Sequence, residues 1–438
     1  MNSDCVDLIA TDPPFNKSKD FHATPECGSE KVGFHDRWSW ETEVQPAWLD
    51  KIQDDWPAVW EVIDAANAIY MHKTKKNLKR PRHEVGFGMG AFLCFMAVRL
   101  MEMHRILKPT GSIYLHCDHT ASHYLKAVMD AIFGPRKENY RNEIIWCYRG
   151  GGVPKSDFAK THDTILRYSK TDAVTFNVDP VRIPYSEESA ERLEYKAKAF
   201  RGDKTYDAYE PHPDGKHPED WWPIQPLSSS DPERYGYPTQ KPLRLYERII
   251  LASSNPGDMV LDPFCGCATT PVCAEKHGRQ WAGIDIWENA RTAVVDRLVA
   301  NGLLRPGDAG DRRGGDLFAE GQLHHVTVPP ARTDHGKAAA AAFRTKVVIP
   351  EPPGTRMTRA EMYAHLLTQH GAKCQGCDRT FDDPRYLELD HNTPRADGGV
   401  KHISNRVLLC GPCNQLKSNI YTLSGLRREN TKRGYMAA

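Results

Sequence analysis

Two periodicities alternate along much of this chain. Val6-Asp7-Leu8-Ile9-Ala10 is short and mostly apolar, which predicts a buried strand. Ala91 to Leu107 has apolar residues at helical spacing and ends in Lys108-Pro109-Thr110-Gly111, a helix stop. GSIYLHCD (111–118) follows as a strand, SHYLKAVMDAIFG (122–134) as a helix and NEIIWCYR (142–149) as a strand. From Lys241 the pattern resumes: KPLRLYERIILASS is an amphipathic helix, and residues 255–286 read as turn, strand, tight loop, helix, strand. Strands alternating with helices predict a parallel α/β sheet.

Two stretches break the rhythm. Residues 150–235 are rich in Gly, Pro, Ser and aromatics, which predicts an irregular insert with its own task. Beyond about residue 318 the pattern loosens, and residues 321–355 read as a linker. Thr358 and Glu361 then form a capping box for a helix running to about His370. The expected division is a first domain over 1–320 and a second over 356–438, with no internal repeat.

Composition changes this picture little. A length of 438 residues calls for two or three domains. A net charge of +1 does not argue against a nucleic-acid binder, which needs only a local basic surface. No apolar run reaches membrane-spanning length and no secretory leader is evident, so a cytoplasmic protein is expected. Of the twelve cysteines, eight are scattered over the first 273 residues and four form two C-x-x-C pairs near the end. That distribution predicts reduced thiols and one metal site rather than a disulfide framework.

Chemistry concentrates in two places. The first strand runs into Thr11-Asp12-Pro13-Pro14-Phe15-Asn16: an acid, a stiff donor-poor turn and an aromatic. Later, MVLDPFCGCATT delivers Asp262 from a strand into a loop of small residues that opens a helix. This is how a doubly wound sheet builds a nucleotide-type pocket. Asp285 ends the next strand, where an acid can accept hydrogen bonds from ribose hydroxyls. The loop is not G-x-G-x-x-G, so a dinucleotide is disfavoured.

These residues resemble the amino-methylating DNA methyltransferases of the permuted β-type subgroup. Asp12-Pro13-Pro14-Phe15 resembles the catalytic tetrapeptide, and Asp262-Pro263-Phe264-Cys265-Gly266 the cofactor loop. Thr239-Gln240-Lys241-Pro242 resembles the segment closing over the methionine end of the cofactor, and residues 142–170 also look like that subgroup. The resemblance covers roughly residues 3–320. It implies a Rossmann-like S-adenosylmethionine-dependent methyltransferase with an inserted recognition region, acting on double-stranded DNA. Asp12 and the Pro13 carbonyl would accept the two hydrogens of an exocyclic amine, and Phe15 would stack on a flipped base. An Asp at the first motif position resembles adenine-N6 enzymes more than cytosine-N4 enzymes. The chain departs from the family's usual pattern twice. Gly266-Cys267-Ala268 stands where relatives carry Gly-x-Gly, and a strand with a Gly-Asp element usually precedes the catalytic strand. Gly315-Asp316 is the candidate substitute for that element.

The second concentration fills residues 374–419. Cys374, Cys377, Cys410 and Cys413 form two knuckles at the spacing of a closed structural zinc site. Between them YLELDH reads as a strand delivering Asp390 and His391. Asn405 follows, and Asn414 and Lys417 come after the last knuckle. This resembles the HNH nucleases, a small zinc-stapled ββα-metal fold here. The resemblance implies His391 as general base, Asn405 as its orienting residue, and Asp390 and Asn414 as ligands of Mg²⁺ or a similar ion. The expectation is a single-chain restriction–modification enzyme. Left open are a zinc module that only targets DNA, a methyltransferase half that only reads DNA, cytosine-N4 specificity, and a homodimer.

Overall fold

The computed structural model describes residues 1–22, 32–40, 42–74, 88–135, 138–150, 154–186, 199–201, 204–206, 212–305, 323, 325–326, 333–334, 357–393, 400–417 and 421–437. Gly315-Asp316 and most of the expected linker at 321–355 lie outside these residues. The chain divides into two compact units, Met1–Thr333 and Asp334–Ala438.

Strands of the first unit are β1 (Val6–Thr11), β2 (Lys19–His22), β3 (Val32–Asp36), β4 (Leu107–Cys117), β5 (Tyr140–Cys147), β6 (His162–Ser169), β7 (Ala199–Arg201), β8 (Lys204–Tyr206), β9 (Trp221–Pro223), β10 (Met259–Asp262) and β11 (Gln280–Gly283). Its helices are α1 (Pro46–Asp55), α2 (Pro57–Thr74), α3 (Met89–Ile106), α4 (Ser122–Phe133), α5 (Leu243–Ser253), α6 (Thr269–Lys276) and α7 (Ala290–Ala300). Among the described residues, seven strands form the main sheet in the order β11-β10-β1-β4-β6-β5-β9. Leu8 and Ala10 on β1 join Tyr114, Ile144, Trp146 and Ile165 in a cluster with Leu245, Ile249 and Val272 from α5 and α6. Ile9, between them, leaves from the opposite face, as strand alternation requires. The α3 helix is apolar almost all round and is buried accordingly, with α2 and α4 packed against it.

The sheet is mixed, which corrects the parallel expectation. β6 runs antiparallel to both β4 and β5, while the other neighbouring pairs are parallel. It lies inside the stretch read as irregular. Its polar residues hide a strand that is buried from Thr164 onward. Arg167 tolerates burial by laying its guanidinium over Phe176 and Tyr114, 4.5 and 5.5 Å from the ring centres. Ser169 accepts a hydrogen bond from Arg141 Nε at 2.7 Å.

The second unit has α8 (Arg359–His370), β12 (Leu387–His391), β13 (Arg406–Cys410), α9 (Gly411–Lys417) and α10 (Leu423–Lys432). The capping box at Thr358 and Glu361 forms, and α8 ends at His370. β12 and β13 pair antiparallel with His391 opposite Arg406, and α9 follows directly. The four cysteines pack with Leu366, Leu387, Leu408 and Leu426 into one small core. No described helix is long and apolar enough to cross a membrane.

Candidate functional site

The carboxyl ends of β10, β1 and β11 open onto a cleft of about 1150 Å³. Asp12, Pro13, Pro14 and Phe15 line it, together with Thr239, Gln240, Lys241, Asp262, Pro263, Phe264, Gly266 and Asp285. Three stretches far apart in the chain therefore meet in one cavity. Asp262 is the hinge between two of them. Its Oδ1 accepts from Thr11 Oγ1 at 2.8 Å and from Phe264 N at 3.1 Å, and its Oδ2 accepts from Thr270 Oγ1 at 2.7 Å. The side chain is engaged by the protein and 4% exposed, and burial pushes its carboxyl up to about 7 against those three donors. Its role is to clamp the exit of β1 to the loop after β10.

Asp285 caps that loop, accepting from Gly266 N at 2.7 Å and Trp287 N at 2.8 Å, and burial raises its carboxyl. Gly266 has φ 46°, and a Cβ there would come within 3.0 Å of the Tyr237 ring. Ala268 has φ 68°, a left-handed conformation that favours glycine. The buried Arg297 of α7 holds this strained loop, donating to Cys267 O at 2.7 Å and Thr269 Oγ1 at 3.0 Å. Gln240 fastens the approach to α5 by accepting from Tyr235 N at 2.7 Å and donating to Glu233 O at 2.8 Å.

Asp12 is the electrostatic centre. Lys241 Nζ pairs with Asp12 Oδ2 and donates to Thr239 O at 3.1 Å. Asp12 Oδ1 faces His116 Nδ1 at 3.3 Å. The His116 ring is 1% exposed, lies between Phe15 and Trp146, and has its Nε2 3.3 Å from Asp163 Oδ2. Burial would raise the Asp163 carboxyl, but His116, Lys241 and Lys17 together hold it below the usual range. The turn after Phe15 has positive φ at Asn16. Asp36 fixes it, accepting from Asn16 N at 2.8 Å, Lys17 N at 2.7 Å and Trp38 Nε1 at 2.9 Å.

In the second unit the four cysteine sulfurs lie within 4.8 Å of one another, with Cys377 and Cys410 at 3.8 Å. Tetrahedral zinc with bonds of about 2.3 Å sets its sulfurs about 3.8 Å apart, so the thiols fit that ion. Asp390 and His391 are successive strand residues and leave β12 on opposite faces. Asp390 accepts from Lys417 Nζ at 2.8 Å, and Lys417 is 1% exposed. Asn414, on the same helix as Lys417, donates to Glu388 Oε2 at 2.5 Å. His391 Nδ1 is 3.1 Å from Arg406 Nη1. Asn405 staples the loop after His391, donating to Thr393 O and Val400 O and accepting from Thr393 N.

Residues 6–296 match the N6/N4 methyltransferase family model, described as DNA methylase. The chain belongs to the N6/N4 DNA methylase family. Residues 374–419 of the chain match a second family model, HNH endonuclease. The type II methyltransferase M1.MboII of Moraxella bovis is 36% identical over 68% of this chain and 91% of its own. M.BglII of Bacillus subtilis is 33% identical over 48% of this chain and 56% of its own, and M.HpaI of Haemophilus parainfluenzae is matched over 59% of its length. The methylase thus spans little more than half of those two relatives. Among solved structures, the M1.HpyAVI-SAM complex matches at 17% identity and TM-score 0.33, covering 67% of this chain and 90% of that one. That likeness is too loose to transfer any residue.

Three residues that support the cleft escape a reading of the sequence: His116 and Asp163, which stand behind Asp12, and Asp36 in its lining. His116 carries a usable signal, because His-Cys-Asp ends a strand and ligands collect beyond strand ends. Asp163 carries none, since it opens an antiparallel strand hidden in an apparent insert. Asp36 sits in the β2–β3 hairpin, a stretch without a motif.

Proposed function

We propose that this methylase transfers a methyl group from S-adenosylmethionine to the exocyclic amine of a base flipped out of double-stranded DNA, adenine N6 in the first place. We further propose that it carries a metal-dependent HNH endonuclease, as a single-chain restriction–modification enzyme. The observation that supports this best is the meeting of Asp12–Phe15, Thr239–Lys241 and Asp262–Asp285 in one cleft. Its volume exceeds the roughly 300–1,000 Å³ of a one-ligand site, which leaves room for cofactor and base together. The Gly266 loop packs so closely on the Tyr237 ring of the same cleft that it leaves no space for a side chain there. The Asp285 carboxylate and loop amides would hold the nucleoside end, and Thr239 and Lys241 the methionine end. Bound there, the cofactor supplies an electrophilic methyl carbon. Asp12 and the Pro13 carbonyl accept the amine's hydrogens and aim its lone pair, an orientation effect, while Phe15 stacks on the base. The loop-rich stretch within 150–235 reads the DNA sequence.

In the second unit the four thiolates hold a structural zinc. Asp390 and Asn414 would ligate Mg²⁺ or a similar ion, which supplies charge for the phosphate oxygens. His391 takes the proton of the attacking water. A second reading has specific support: Lys417 occupies Asp390, and Arg406 donates to His391 Nδ1. Those contacts suit a DNA-targeting module that does not cut. Plasmid prepared free of methylation, and plasmid from cells expressing the His391→Ala protein, are incubated with the wild-type protein and Mg²⁺. Cutting of only the first supports the full reading. Cutting of neither, with methyladenine in the second, supports the targeting module. Cutting of both, with no methylated base in the second, refutes the methyl-transfer half.

A further inference from the structure

Methylating an amine leaves one proton to dispose of. The nitrogen forms its bond to the methyl carbon, the carbon–sulfur electron pair stays with sulfur, and one N–H proton departs in each turnover. Asp12 is the first acceptor on the reading above, yet its Oδ2 faces the Lys241 ammonium. With Oδ2 engaged by that ammonium, Oδ1 is the oxygen left to pass a proton on, and it faces His116. Imidazole is ordinarily the stronger base by about 2.6 units.

Asp12 Oδ1 and His116 Nδ1 are both buried and both lack a hydrogen-bond partner among the described residues, although they lie 3.3 Å apart. Two orphaned polar atoms facing each other are costly for a fold to keep. A proton placed between them satisfies both. On the far side of the ring, Nε2 meets Asp163 Oδ2 at 3.3 Å, and Asp163 Oδ1 accepts from Tyr148 Oη at 3.5 Å. The neighbours of the imidazole thus comprise Asp12 at the exit of β1, Asp163 on β6, and the neutral rings of Phe15 and Trp146. Lys241 stands beyond Asp12. Lys17 stands over the far side of Phe15 and pairs with Asp118 at 3.3 Å.

We propose that His116 takes the amine's proton from Asp12 and holds it, as an imidazolium between two carboxylates, until the product leaves. The proton then returns through Asp12 to entering water, and His116 is neutral again. This rests on the methyl-transfer reading of the same cleft. His116 acts through Asp12, so its substitution slows the chemical step rather than binding.

The test measures single-turnover methyl transfer to unmethylated plasmid, in a His391→Ala background without Mg²⁺, between pH 5.5 and 9. His116→Gln is expected to lower the rate at pH 7 by roughly 100-fold, the usual weight of a positioned proton acceptor. DNA and cofactor Kd stay unchanged, and the fall in rate toward acid pH disappears. Asp163→Asn keeps that fall but moves it to lower pH, because the imidazolium loses a counter-charge. A His116→Gln rate unchanged, or an acid fall of unaltered shape, overturns the proposal. A second arm does not depend on turnover. The ¹⁵N-histidine NMR titration of the full chain is compared with that of Asp12→Asn. A His116 resonance whose midpoint drops in the variant supports the coupling, and one that does not move overturns it. Absence of any methyl transfer by the parent protein refutes the function itself, and the NMR arm still decides the fate of His116.

Discussion

Asp262→Asn isolates the clamp between β1 and the loop after β10. The wild-type carboxyl is pushed by burial up to about 7 in the fold. In an unfolded chain an aspartate titrates near 3.9. Between those values the folded state binds the extra proton, so stability falls as pH rises through that window and levels off above it. A gap of about three units is worth roughly 4 kcal/mol at most. At about 2.1 cal/mol/K per residue, a unit of some 333 residues loses roughly 0.7 kcal/mol per kelvin, which turns the gap into ~6 °C of Tm. The amide keeps the hydrogen bonds. Its oxygen accepts from Thr11 and Phe264, and its nitrogen donates to Thr270 Oγ1, which still reaches Ala10 O at 3.2 Å. Thermal unfolding of both proteins from pH 5 to 8 is expected to show the variant gaining on the wild type as pH rises, with a plateau above about 7. A flat difference refutes a raised, buried carboxyl. So does a wild type that gains instead.

Other outcomes follow from single contacts. Lys241→Met leaves the Asp12 carboxylate without its cation, and methyl incorporation into DNA should fall at least about tenfold, as expected for loss of a charged partner in a desolvated site. Metal analysis should find one zinc per chain; Cys410→Ser should lose it and the cooperative unfolding of the second unit, leaving the first unchanged. Gly283→Ala drives a Cβ to within 2.9 Å of Cys265 Sγ and should cost about 1–3 kcal/mol, read as a lowered denaturation midpoint of the first unit.

The strands and helices that flank the motifs were legible because each carries one clean period. Val6–Thr11 is apolar at every buried position but its last, Thr11, and Leu243–Ser253 shows one apolar face. That Asp12, Asp262 and Asp285 would share a cleft was legible because each stands at a strand end in a short motif. What stayed hidden follows from compensation. Arg167 and Ser169 sit in a fully paired strand because aromatic faces cover the guanidinium and Arg141 bonds the hydroxyl. No local pattern announces such partners, which are brought in by the fold. The same holds for Lys241. Its motif marks it as a candidate cofactor contact, but only the fold sets its ammonium against Asp12. In the second unit the pairings of Asp390 with Lys417 and Asn414 with Glu388 depend on α9 lying along β12, which the spacing of the cysteines does not reveal.

The strand order explains why the cleft can divide its labour. Along the carboxyl edge from β11 to β5, the groups read Asp285, Asp262, Asp12, His116, Asp163, Tyr148. The first two fasten the loop proposed to hold the cofactor, and the third is the proposed acceptor for the amine. The last three lead away from it at separations of 3.3 to 3.5 Å. An all-parallel sheet would place a strand's end, not its start, beside His116. Antiparallel β6 instead delivers Asp163 near its start, at the same edge, from a strand whose remaining length is core. Its reversal supplies the imidazole with a second carboxylate. Removing that charge alone, with Asp163→Asn, should therefore alter the pH dependence of methyl transfer while leaving cofactor and DNA binding intact, because Asp163 bonds His116 and Tyr148, which lie on the far side of Asp12 from the loop proposed to hold the cofactor.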